Sequence, residues 1–263
     1  MSRRSLTGLR TILTGATSGI GRALTIELIR RGAHVVAMGR RADRLESLAA
    51  HVAHPNCYRS VIGDVTRRAD RLAALDVATR EFGGLDCLIN NAGSGALGPF
   101  ETADEGRLRQ IMEVNFFAPA EFIREALPLL DKGHKPIIVN VSSVLGHRAV
   151  PDKSEYCASK FALHGFSDAL RAELAPRGID VLLVSPSTTS SEFFDAAIGS
   201  SNENHFRFGA MTPETVSRTA ADAIAAGRHE IILSAGGKLL VWLDRVCPPL
   251  ADWLVSRRAG TTA

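Results

Sequence analysis

Thr11-Ile12-Leu13-Thr14 runs directly into Gly15-Ala16-Thr17-Ser18-Gly19-Ile20-Gly21, and the stretch from Arg22 to Arg31 then carries apolar residues at 24, 26, 28 and 29. The first run reads as a buried strand and the last as an amphipathic helix. A glycine turn held between a strand and a helix leaves the chain few folds to choose from. Glycine permits a tight turn and a close backbone approach. The helix N-terminus offers unpaired N–H groups and the positive end of the helix dipole. The expectation is a strand–turn–helix unit that opens an α/β sheet and can seat a pyrophosphate.

Strand and helix alternate through the rest of the chain, without repeats or low-complexity tracts. The pattern predicts strands at 10–14, 34–39, 57–63, 86–90, 136–142, 179–185 and 229–233, and helices at 19–32, 42–53, 67–82, 104–131, 154–176 and 213–227. Ile137-Ile138-Val139-Asn140-Val141 is nearly continuous in apolar residues, as expected of a strand covered on both faces. Strands separated by helices need crossover connections, which make the sheet parallel and its crossings right-handed. The expected class is therefore α/β: a Rossmann-like doubly wound parallel sheet of about seven strands, with its ligand crevice at their carboxyl ends. Residues 1–236 are expected to form one domain, and 237–263 an apolar tail.

Composition bounds the function. A net charge of +3 over 263 residues calls for neither nucleic acid nor membrane as partner. Cys57, Cys87, Cys157 and Cys247 form no C-x-x-C pair, and no histidine cluster has metal-ligand spacing. Free thiols in a reducing, cytoplasmic setting and no metal are the expectation. The first nine residues carry arginines and no apolar run of signal-peptide type.

Tyr156 and Lys160 stand four residues apart in Tyr156-Cys157-Ala158-Ser159-Lys160, and Ser143 lies thirteen residues upstream of the tyrosine. On a helix, residues i and i+4 share a face. A free phenol holds its proton to a pKa of about 10, and a neighbouring cation favours the phenolate. That arrangement can bring a general acid/base toward operating pH, while a serine at a strand end holds a carbonyl or alkoxide oxygen.

Gly-x-x-x-Gly-x-Gly after the first strand, Asn90-Asn91-Ala92-Gly93 after the fourth, Asn115 on a later helix and the Ser143/Tyr156/Lys160 set together resemble the short-chain dehydrogenase/reductase family, in order and at family spacing from about Arg10 to Leu233. The resemblance implies a catalytic set of Asn115, Ser143, Tyr156 and Lys160. Tyr156 would be the acid/base, Lys160 its cationic neighbour and ribose ligand, Ser143 the hydroxyl that polarises substrate, and Asn115 the holder of a relay water. It implies a dinucleotide site of Gly15, Thr17, Ser18, Gly19, Ile20, Gly21, Arg40, Arg41, Asp64, Val65, Asn91, Ala92, Gly93, Tyr156, Lys160, Pro186 and Ser191.

Charge at the end of the second strand selects the cofactor. An NAD site wants a carboxylate there for the ribose 2′-OH, and that carboxylate would repel a 2′-phosphate. The chain instead reads Gly39-Arg40-Arg41, with no acidic residue over 39–42. Guanidinium forks suit phosphate, so NADP(H) is expected over NAD(H), with Arg22 assisting. The implied function is an oxidoreductase exchanging hydride with a small, apolar carbonyl or alcohol. A non-catalytic dinucleotide-binding sensor on the same scaffold is the alternative.

Three regions stay open on sequence grounds. Ser187 replaces the glycine that the family carries after Pro186, and Ser191 stands where the family has a threonine. Residues 190–212 match the family's substrate lid, and Phe193, Phe194, Phe206, Phe208 and Met211 there suit either an apolar substrate or packing on the body. The tail over 237–258 contains Trp242, Trp253 and Pro248-Pro249; packing is expected, and contact with a membrane surface is the second reading. Phe161, Leu163, Phe166, Leu170 and Leu174 make the helix over 154–176 apolar on two sides, which points to a homodimer or homotetramer.

Overall fold

The computed structural model describes residues 4–190, 193, 197–199 and 210–259. Seven strands form one parallel sheet in the order β3-β2-β1-β4-β5-β6-β7. They are β1 (Arg10–Thr14), β2 (His34–Gly39), β3 (Tyr58–Ile62), β4 (Cys87–Asn90), β5 (Ile137–Val141), β6 (Asp180–Ser185) and β7 (Glu230–Ile232). Each begins and ends within a residue or two of its predicted position. The order reverses direction between β1 and β4, so the loops leaving these two strands diverge and open a crevice at the sheet's carboxyl edge.

Side chains alternate across the sheet and feed two cores. Leu13, Val35, Ala37, Val139 and Val184 face α1 (Gly19–Arg30), α2 (Ala42–Ala49) and α7 (Pro213–Ala226). Ile12, Val36, Leu88, Ile138 and Val181 face α3 (Arg68–Phe82), α5 (Ala118–Leu130) and α6 (Ser154–Leu174). Burial on both faces is why these strands are unbroken apolar runs.

The helix expected over 104–131 is divided. α4 (Glu105–Met112) and α5 are joined by a π-helical turn, Glu113–Phe117, with Asn115 at its centre. Widened turns of this kind cluster at functional sites, and residue periodicity does not reveal them. The tail, for which no helices were predicted, forms α8 (Ala235–Val246) and α9 (Pro248–Ala259), separated by Cys247.

A polar seam ties the sheet centre to α6. Asn90 Nδ2 donates to Asn140 Oδ1 at 2.9 Å, Asn140 Nδ2 donates to Ser167 Oγ at 2.9 Å, and Ser167 Oγ donates to the Leu163 carbonyl at 2.6 Å. All three polar side chains are buried, and each finds its partner in the next. The seam fixes the helix that carries Tyr156 and Lys160.

Candidate active site

Ser143 follows β5 in extended backbone (φ −160°, ψ 159°) and caps a short 3-10 turn by accepting from the Leu145 N–H at 3.1 Å. Tyr156 and Lys160 occupy the first turns of α6, and both are buried. The Tyr156 phenol faces the Ser143 hydroxyl, which favours its ionised form. Lys160 Nζ donates to the Val141 carbonyl at 3.0 Å and lies 5.7 Å from the Tyr156 ring centroid. The three side chains expected to act together do converge at the end of β5.

The electrostatics differ from the expectation that Lys160 draws the phenol toward neutrality. Burial pushes the Tyr156 pKa well up, and the Ser143 hydroxyl opposes this only in part. Burial also lowers Lys160 to about 8. Tyr156 packs against Ala96 and Ile111, and the Phe193 ring stands edge-on at 5.8 Å. In such surroundings the phenolate loses hydration, and desolvation outweighs the nearby cation. The phenol is therefore held protonated, the state in which it can donate.

Asn115 is fully buried and its amide is committed on both sides. Oδ1 accepts from the Ser94 N–H at 2.8 Å, while Nδ2 donates to the Ser94 carbonyl and to Ser159 Oγ, each at 2.9 Å. Ser159 Oγ in turn donates to the Tyr156 carbonyl at 2.7 Å. A Cβ on Gly93 would come 3.1 Å from Asn115 Oδ1 and 3.7 Å from Lys160 Nζ, so the glycine keeps that corner open.

The crevice above β1 has the makings of a dinucleotide seat. Gly15 is left-handed (φ +71°), and a Cβ on Gly21 would meet the Gly15 carbonyl oxygen at 2.2 Å. Turn and helix are thus in backbone contact. Ser18, the N-cap of α1, makes no side-chain cap bond, and the first turn holds no acidic residue. The N–H groups of Gly19, Ile20 and Gly21 therefore face the crevice without a competing carboxylate. Thr14 Oγ1 accepts from the Asn91 and Ala92 N–H groups at 3.0 Å each, and Asn91 Nδ2 donates to the Thr14 carbonyl at 2.9 Å. Asn91 thus braces the glycine turn with its side chain.

At the mouth of β2, Arg40 is 77% exposed at its side chain, with its guanidinium 3.9 Å from Asp64. Arg41 donates to Thr17 Oγ1 from Nε at 3.3 Å and Nη2 at 3.2 Å. Asp64 Oδ1 accepts from the Thr66 N–H and hydroxyl at 2.9 Å each; burial pushes its pKa up, but these bonds hold it below the ordinary value. Val65 is half-buried beside it, its carbonyl taken by Arg71 Nη1 at 2.9 Å. Arg22 points instead toward α2, donating to the Arg44 carbonyl at 3.3 Å. These groups fit an anionic dinucleotide. Bound there, its nicotinamide ring supplies or accepts the hydride.

Pro186 sits beside the Ser143 loop, its carbonyl accepting from the Val144 N–H at 2.9 Å. Among the described residues only Lys135 and Asp152 are non-glycines with positive φ, so Ser187 takes the family glycine's place without left-handed strain. Ser191 and most of the expected lid, with Phe194, Phe206 and Phe208, lie outside the described residues.

Two clusters escaped the sequence. Arg107 Nε donates to Glu155 Oε2 at 2.5 Å, both side chains 4% exposed, and Arg107 Nη1 donates to the Leu97 carbonyl. This buried pair clamps the start of α6 one residue before Tyr156. His147, His164 and Glu230 bring their ligand-type atoms within 4.8 Å of one another, a proximity their spacing hides. Burial first, and then His164, lower His147 to about 4; its Nε2 is hydrogen-bonded to Ser185 Oγ at 3.0 Å and lies 3.2 Å from Glu230 Oε1.

Known proteins share this arrangement. Residues 10–200 match the short chain dehydrogenase family. Dehydrogenase/reductase SDR family member 7B of Xenopus laevis is 30% identical over 268 residues, spanning 94% of this chain and 81% of the relative. 3-Ketodihydrosphingosine reductase of Bacteroides thetaiotaomicron is 34% identical over 184 residues, spanning 70% of this chain and 65% of the relative. The structure of 3-ketoacyl-(acyl-carrier-protein) reductase from Brucella melitensis, complexed with NADH, superposes with a TM-score of 0.79 at 26% identity, covering 88% of this chain and 98% of that one. With a glycine turn braced by Asn91, a phenol facing Ser143 and a lysine anchored on Val141, on a seven-stranded parallel sheet, this chain belongs by these matches to the short-chain dehydrogenase/reductase family of oxidoreductases.

Proposed function

We propose that the chain is an NADP(H)-dependent carbonyl reductase or alcohol dehydrogenase acting on an apolar substrate. The observation that carries this reading is the convergence of the buried Tyr156 phenol, the Ser143 hydroxyl and Lys160 at the crevice edge. Ser143 holds the carbonyl oxygen, and Tyr156 donates the proton that converts it to a hydroxyl as hydride arrives at carbon. Lys160, anchored on the Val141 carbonyl, supplies the cation behind the phenol and a donor for the ribose. The π-helical turn that holds Asn115 beside Ser159 supports its place in a proton path leading away from Lys160. The exposure of Arg40 at the mouth of β2, with Arg41 against Thr17 below it, supports a contact to the 2′-phosphate.

The ketone reading draws on the relatives' names, two of which specify a 3-keto group. The side chains around Tyr156 (Ala96, Ile111, Phe193) supply an apolar wall. Exposed Phe161 on α6 and Phe117 beside it support a homodimer or homotetramer built across that helix, and the four unpaired cysteines support a cytoplasmic setting.

The test is NADPH oxidation over ketones, aldehydes, quinones and 3-oxoacyl thioesters, with NADH in parallel. Turnover of at least one class, faster with NADPH, is expected. Tight NADPH binding without turnover of any class would move the reading to a dinucleotide sensor. Equal use of both cofactors would sink the Arg40 assignment.

A further inference from the structure

The tail packs by one side of each of its two helices and leaves the other bare. In α8, Leu239, Trp242 and Val246 are exposed at 62%, 59% and 61%. At 3.6 residues per turn they fall within about 60° of arc. In α9, Leu250, Trp253 and Leu254 are exposed and share a face in the same way. Gly237 and Val241 are buried on the opposite side of α8, and Ala251 is buried in α9. A Cβ on Gly237 would stand 3.1 Å from Val144, so α8 rests on the loop that carries Ser143. Six large apolar side chains on two adjacent helices amount to a platform, where scattered single ones would need no explanation.

Charge on the hairpin is sorted as well. Its two described carboxylates are both paired with Arg148, which donates to the part-buried Asp244 Oδ1 at 2.6 Å and to the exposed Asp252 Oδ1 at 2.5 Å. Lys238, Arg245 and Arg257 are exposed around the apolar stripes, the Arg257 guanidinium lying 4.0 Å over the Trp253 ring. Apolar centre, tryptophans and a basic rim are the composition of a helix pair that lies in a bilayer interface. No helix of the described residues is long and apolar enough to cross a membrane. Each of these has 12 residues and would reach only about 18 Å.

We propose that the α8–α9 platform docks the enzyme on an anionic lipid surface, with Trp242 and Trp253 at headgroup level. This reverses the sequence-based preference for a wholly packed tail. A second copy of the chain fits the platform less well. A two-fold contact sets the same patch against itself, which would bring basic rim against basic rim. An anionic surface meets the same rim with opposite charge.

Trp242 and Trp253 are the only two tryptophans in the chain, so intrinsic fluorescence reports on the platform alone. Full-length protein is mixed with vesicles of phosphatidylcholine alone, or of phosphatidylcholine with phosphatidylglycerol, and sedimented. Binding to the anionic vesicles with a blue shift in emission is expected, weakening as salt rises. W242S/L250S should partition at least about tenfold more weakly while keeping the thermal transition and NADPH binding of the parent. Protein that stays in the supernatant with both vesicles would overturn the proposal, as would equal binding to both. Light scattering that shows a dimer reduced to monomer by W242S/L250S would assign the platform to a second copy instead.

Discussion

The crevice over β1 and the hairpin of α8 and α9 are built to opposite tolerances. At the crevice, backbone meets backbone: a single Cβ on Gly21 would stand 2.2 Å from a carbonyl oxygen, and the Asn91 side chain fills the remaining gap. On the hairpin, Gly236 has nothing within 4 Å of where its Cβ would be, and large apolar side chains face outward. The first region must hold reacting groups to fractions of an ångström, so every neighbour is specified. The second contributes surface, and surface constrains only what covers it.

The sharpest way to break this contrast is at its chemical end. Tyr156→Phe should lower turnover by about 10²–10⁴, the span for a positioned general acid, with NADPH affinity nearly unchanged. Steady-state rates beside equilibrium cofactor titration separate the two, and a mutant that kept its turnover would place the acid elsewhere. Next in size is Arg40→Ala, which should weaken NADPH binding by about ten- to a hundredfold and NADH binding little, the loss of one charge-assisted contact.

Gly21→Ala should destabilise the fold by about 1–3 kcal/mol, since an overpacked methyl must move backbone. Gly236→Ala should leave stability unchanged or raise it by about 0.5 kcal/mol, because a helical glycine gives up entropy on folding. Denaturant unfolding of both variants tests the comparison directly. Equal effects at the two glycines would erase it.

His147 gives the smallest effect near neutrality. Its native pKa of about 4 lies below the ordinary 6.5, so between those values the unfolded chain binds a proton that the folded chain refuses. Stability then rises with pH across the window and is lost as pH falls through it. His147→Asn should flatten that slope between pH 7 and 5. An unchanged slope would mean the ring takes up its proton without unfolding.

Much of the fold was legible in residue patterns because both periodicities were strong. Apolar runs broken by helical stripes placed all seven strands, and glycine and asparagine motifs fell at strand ends where the sheet topology gathers them. Local pattern failed where the cause was not local. The π-helical turn at Asn115 depends on how α4 and α5 pack, and hydrophobic spacing does not record one extra residue in a turn. Arg107 and Glu155 are 48 positions apart, and neither residue type announces burial until the other is found.

Residue order by itself determined the sheet, the crevice and the candidate reacting groups, since glycine turns, strand runs and i,i+4 pairs are short-range and carry their own geometry. Only the tertiary structure decided the electrical state of Tyr156, because desolvation depends on residues such as Ala96, Ile111 and Phe193 that fold around it. Only the tertiary structure, likewise, decided which side of the tail faces outward. Arg148 pairs with Asp244 and Asp252, Gly237 settles on Val144, and the remaining faces of both helices are left with their leucines and tryptophans exposed.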